Sequence, residues 1–235
     1  GKRRMNIWVI VPECILLLWA FLLATVWSGR QNLAHPVGLL RAGAGAVIAV
    51  IVLGSAGFGG VSTLFFNDPL AIFFKFAILT VLSFTLFTIG GLRHWRGRDL
   101  SFLYLTSFGC MIVAGGNEMA TIFIGLSTAT LSLFIFLWLV ASDERDRATV
   151  RKWFTFAVIA GATLAFGMSL VYGLSATTQI VQSKINLAIV HLTRENIGVV
   201  LAIAEVMLLV GVAGLFLAPP LAGKLAAESS ARMHP

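Results

Sequence analysis

Four ionisable side chains, Glu13, Arg41, Lys75 and Glu205, fall inside apolar stretches of this 235-residue chain. They are the residues best placed to do chemistry. A charge at the centre of a bilayer costs about 2.5–3.5 kcal/mol on insertion scales, so each demands a partner, a route to the surface or a task. Arg41 and Lys75 lie near the starts of their stretches, where a long aliphatic stem can either snorkel to the interface or pair with an acid. Glu13 follows Pro12 and shares a side of the membrane with Lys75 in the topology derived below, so an ion pair between them is conceivable. Glu205 lies about 12 Å into its stretch at 1.5 Å per residue, where snorkelling is hard. It is protonated, paired with this chain or a neighbour, or exposed to a water-filled path.

Other chemistries lack equipment. His35, His94, His191 and His234 are scattered at loops and ends, and no two have metal-ligand spacing. Cys14 and Cys110 fall in apolar runs without ligand spacing and read as small buried residues. There is no CxxCH haem site, phosphate-binding glycine loop or nucleophile triad. No metal or cofactor is evident. A lipid, quinone or pigment would occupy a shaped apolar groove, which leaves no motif.

The elements that must position these charges follow from composition. The chain is 58% hydrophobic and 11% charged, with mean hydropathy +0.94, too little polar surface to clothe a soluble globule. It reads as an integral membrane protein. A spanning helix needs roughly 20 apolar residues, and the runs are apolar all round rather than alternating, which selects helices over a membrane barrel. Seven spans are expected in a single transmembrane domain over 1–235, at about 7–27, 37–58, 69–92, 101–115, 119–141, 153–174 and 197–219. The predicted fold class is an all-α polytopic membrane helix bundle.

The net charge of +7 sits in short loops and tails and sets orientation; it is not a nucleic-acid footprint. One side collects Arg30, Arg93, Arg96, Arg98, Arg145, Arg147, Arg151, Lys152, Lys224 and Arg232; the other holds Lys184, Arg194 and the GKRR end. The richer side is expected to be cytoplasmic or its organellar equivalent, with the N-terminus outside and the C-terminus inside, in a bacterial or organellar inner membrane. GKRR opposes that assignment unless it is non-native or shielded by a partner. Met5 opens a more natural start, MNIWVIVPE, so residues 1–4 read as processed, upstream or non-native. Between the last two spans, Val181, Ile185, Ala188 and Leu192 recur at helical spacing with Gln182, Lys184 and His191 off the stripe, which predicts a short helix on the membrane surface. Gly43, Gly45, Gly161 and Gly167 are small residues of the kind that allow close helix approach.

The order of these features resembles the antiporter-like membrane subunits of respiratory complex I, specifically the N-type (subunit 2) branch. IVPECILLLWAF resembles that branch's first helix, with its Pro-Glu pair, and FFNDPLAIFFKFAILTV its third, with an aspartate followed by Phe-Phe-Lys. The continuous stretch from RDLSFLYLTSFGC through NEMATIFIGLSTATLSLFIFLWLVASDERDRATVRKW to LVYGLSATT is similar to helices four to six in loop length, glycine placement and the charged loop. The resemblance implies a bundle like the N-terminal half of such a subunit.

It also implies what the chain lacks. The family couples a glutamate on helix five to a lysine on a broken helix seven, whose charge states shift each other's proton affinity. In IGLS the glutamate position is Ser127; in VGVAGLFLAPP the lysine position is Leu215 or a close neighbour. Pro220 is followed by Leu221 and Ala222 where a histidine is expected, and the chain ends before the second half-channel. The expectation is therefore a truncated, degenerate relative that does not pump and is no enzyme by itself. It would be kept as a structural or accessory subunit, with other membrane subunits of a respiratory or photosynthetic complex and the lipid bilayer as partners and no nucleic acid. Two other readings stand beside it. One is the N-terminal part of a split subunit that still translocates protons, with Glu205 replacing the lost carboxylate. The other is a stand-alone channel or assembly factor.

Overall fold

A computed structural model describes residues 10–28, 30–31, 36–55, 65, 68–90, 95–141, 143–193 and 197–231. GKRR, Met5, His35, Arg93, His94, Arg194, Arg232 and His234 lie outside them, as do the side chains of His191, Leu192 and Lys224. The helices are α1 (Val11–Thr25), α2 (Pro36–Ser55), α3 (Pro69–Gly90), α4 (Gly97–Gly115), α5 (Met119–Val140), α6 (Glu144–Ser175), α7 (Ile180–Thr193) and α8 (Ile197–Ala231). Among the described residues, two 2-residue strands, β1 (Arg30–Gln31) and β2 (Trp95–Arg96), are the other regular elements. The protein is an all-α integral membrane bundle. Among the described residues, α3, α5, α6 and α8 are long and apolar enough to cross a membrane, and α1 and α2 are shorter apolar helices.

Several helix starts are written in the sequence. Pro36 and Pro69 open α2 and α3, and Pro12 sits in the first turn of α1, positions where proline's missing N–H costs no helical bond. Asp68 caps α3, its Oδ1 accepting the backbone N–H of Ala71 at 2.7 Å. The other end of the chain departs from hydropathy. Helix α8 runs on to Ala231 through Pro219 and Pro220 instead of stopping at Pro219.

The chain forms two compact units, residues 1–136 and 137–235. In the first, α1 packs on α2 and α4, and α3 packs on the same two, which places α1 and α3 on opposite corners of a four-helix ring. Each helix buries a stripe at spacings of three and four: Glu13, Leu16, Ala20 and Leu23; Ala42, Ala46, Ala49 and Leu53; Ile72, Lys75, Leu79, Leu82 and Leu86; Leu100, Tyr104, Ser107 and Met111. That period turns one face inward over several turns. At one end of the ring β1 pairs antiparallel with β2, setting Arg30 opposite Arg96; elsewhere a bridge joins Phe65 to Gly116. Helix α5 closes on α4 where both backbones are bare: a methyl group at Gly109 would lie 2.5 Å from the backbone nitrogen of Ala129.

In the second unit α6 packs along α8, and α7 packs on α6. A methyl group at Gly211 would lie 2.7 Å from the Leu164 backbone nitrogen, and one at Gly167 would lie 3.0 Å from that of Leu208. Helix α6 ends on Ala176 in the left-handed region (φ 52°). Its last carbonyls are partly satisfied from α7: Asn186 Nδ2 donates to the Ser175 carbonyl at 2.7 Å.

Candidate functional site

Glu13 is the third residue of α1 and Lys75 the seventh of α3, and both lie on the inward stripes of their helices. Inward projection carries both head groups to the axis of the ring, where Lys75 Nζ meets Glu13 Oε1 at 2.6 Å with the two side chains 0% and 1% exposed. Lys75 therefore pairs rather than snorkels. Among the described residues Glu13 Oε2 finds no hydrogen-bond donor, so the lysine is the carboxylate's main counterweight. Such a pair gains strong Coulomb attraction in a low dielectric and gives up the hydration of two ions; its removal by halves is the costly event.

The other diagonal of the ring is bridged without charge. Tyr104 on α4 is fully buried, and its hydroxyl donates to the backbone carbonyl of Ala42 on α2. Sequence reasoning passed over this contact. The available signal was that Tyr104 is one of two tyrosines, placed inside an apolar helix where a phenol needs an acceptor.

The remaining predicted residues are set apart. Arg41 is exposed on α2, and its carbonyl accepts the Trp19 indole N–H at 3.0 Å. Ser127 is half-buried on α5, and Leu215 half-buried on α8. Glu205 lies in the middle of the apolar segment Gly198–Leu215 and is exposed. Among the described residues it makes no ion pair. Its face of α8 also carries Val206, Leu209 and Val212, exposed by 57%, 70% and 41%.

Two sequence readings need adjustment. Cys14 is exposed rather than buried, because the inward stripe of α1 runs through Glu13 and Leu16 and leaves residue 14 on the outer face. The short helix expected between the last two spans is present as α7, with Val181, Ile185 and Ala188 of its stripe exposed and Ser183 buried. Of the four glycines singled out, Gly45 abuts the Trp19 ring and Gly167 abuts Leu208, whereas Gly43 and Gly161 have open space beside them. No cluster of three potential metal ligands occurs among the described residues. Open apolar grooves of about 560 and 520 Å³ run along α1/α4 and α2/α3. Their serines are occupied within their own helices, Ser101 donating to the Arg98 carbonyl and Ser83 to that of Leu79, so no polar groups converge there on a ligand.

A polytopic helical membrane protein with a charged pair at the heart of its first unit is the class these features define. In sequence it is similar to the NAD(P)H-quinone oxidoreductase subunit 2 of Synechococcus elongatus, 29% identical over 186 residues, which cover 73% of this chain and 34% of that protein. It is likewise similar to NADH-quinone oxidoreductase subunit N of Acidithiobacillus ferrooxidans (27% over 202 residues; 84% of this chain, 41% of that one) and of Rhodobacter capsulatus (30% over 182 residues; 72% and 37%). The fold matches a chain of respiratory complex I from Thermus thermophilus with TM-score 0.64 at 17% identity, covering 86% of this chain and 43% of that one. No family model matches. The protein is thus a homologue of the N-type (subunit 2) membrane subunits, and it spans about a third to two fifths of the length of these curated relatives.

Proposed function

We propose that the chain is a non-pumping structural or accessory subunit of a larger energy-converting membrane complex, packed among other membrane subunits. The observation that carries this reading is Ser127 at the position where the resemblance places the helix-five glutamate. A serine cannot hold a titrating charge, and Leu215, at the lysine position, cannot modulate one. The charges that remain inside unit 1 support the same reading, since Glu13 and Lys75 neutralise each other. The proposed orientation keeps the N-terminus outside and the C-terminus on the cytoplasmic side. Its support is that Arg30 and Arg96, in the α1–α2 and α3–α4 loops, are paired at one end of the bundle.

A second reading, proton translocation by a split subunit with Glu205 as substitute carboxylate, draws on the exposure of Glu205 in mid-span. One experiment separates the two. The native protein is purified in mild detergent, its companions are identified by mass spectrometry, and proton translocation by the host complex is measured with Ser127→Glu. The structural reading expects unchanged flux. Flux that rises with Ser127→Glu, or companions that supply only the C-terminal helices of an N-type subunit, would overturn it.

A further inference from the structure

Helix α8 cannot choose which face it shows. Ala204 is fully buried, and the close approaches of Leu208 to Gly167, of Gly211 to Leu164 and of Gly214 to Ala160 fix its rotation against α6. Glu205 therefore projects away from that seam, midway along the apolar segment Gly198–Leu215, among exposed Val206 and Leu209. An ionisable group so placed requires a partner or water. The described part of this chain offers no cation that is both free and suitably deep: Lys75 is spent on Glu13, and Arg41 lies within the first two turns of α2. A second copy does not serve either. A two-fold contact through this face would bring Glu205 against its own duplicate, like charge on like.

Resting on the structural reading above, we infer that this face of α8 is an interface for a transmembrane helix of another polypeptide, one that presents a lysine or arginine at mid-membrane depth to Glu205. The exposed α8 residues around the carboxylate, Ala202, Val206, Leu209 and Val212, carry no polar side-chain group to compete with a guanidinium or ammonium for it. The charge would set the register of the two helices, and the apolar flanks would supply the area.

The test is carried out in native membranes holding the host complex. A photo-crosslinking amino acid at Leu209, one turn from Glu205 on the same face, is expected to capture a transmembrane peptide that contains a basic residue. Glu205→Arg should lower co-purification of that polypeptide at least about tenfold, and replacing the captured basic residue by glutamate should restore it, a rescue that a misfolded chain could not give. Crosslinks only to lipid, to this chain or to a helix without a basic residue would overturn the inference, as would a charge reversal that leaves co-purification intact or a double reversal that fails to rescue it. Glu205→Gln distinguishes the two levels of the argument. Intact assembly with abolished proton flux sinks the structural reading itself, whereas lost assembly together with a non-basic captured helix sinks only the interface.

Discussion

In residues 1–136, Glu13 and Lys75 face one another across a ring of four helices; in residues 137–235, Glu205 faces away from α6, the helix that grips its own. Both units hold charge inside apolar helices, yet the first has four inward stripes with which to enclose it. The second builds its main contact from α6 and α8, and two helices cannot surround a residue on the far side of either. The apolar span of α8 is only 11% buried, against 28% for those of α3, α5 and α6. The difference teaches that enclosure of a charge is a property of helix number and rotation, not of the charged residue's depth.

The sharpest way to break this contrast is Lys75→Met, which leaves Glu13 buried without its cation and should cost about 3–5 kcal/mol. Thermal unfolding of the detergent-solubilised protein should show a large loss, and Glu13→Leu added to Lys75→Met should recover most of it. A double variant as unstable as the single one would mean that the pair does more than balance charge. Next in size, Gly211→Leu forces a side chain into the Leu164 backbone and should separate α6 from α8 at about 1–3 kcal/mol. Limited proteolysis should then open unit 2 while unit 1 stays protected, and equal opening of both would deny their independence. The smallest effect is expected for Tyr104→Phe, which removes the neutral bridge to Ala42 at roughly 0.5–1.5 kcal/mol. Were it as damaging as Lys75→Met, the two diagonals of the ring would be equal in weight.

Much of unit 1 could be read from the chain, because three-and-four periodicity and the Asp68-Pro69 start are local features. The depth of Lys75 was legible for the same reason. Glu13 could be named as a conceivable partner from its shared side of the membrane, but the meeting itself was not legible: the two touch only because α1 and α3 occupy opposite corners, and corner assignments depend on all four helices at once. Helix ends also differ from the expected span ends. Hydropathy reads membrane rather than helix, so α6 begins at Glu144, nine residues before the apolar stretch, through a charged turn in which Arg151 approaches Glu144 at 3.6 Å. Conversely α4 begins at Gly97 because Trp95 and Arg96 are committed to β2, and only a glycine fits where the chain then passes the Trp27 carbonyl. The outward face of α8 was beyond reach, since an apolar helix with almost no amphipathic bias does not announce which side it will bury.

The diagonal placement of the ion pair has a consequence for synthesis. Glu13 leaves the ribosome about 60 residues ahead of Lys75, an interval of roughly 3–12 s at 5–20 residues per second. Throughout that delay the first helix carries an acid whose counter-ion does not yet exist. Lateral release of α1 into lipid would strand it, so the favourable course is retention of α1 beside the insertion machinery until α3 emerges. On this view Lys75 acts as a timing signal: its arrival licenses the first helices to leave together, already joined.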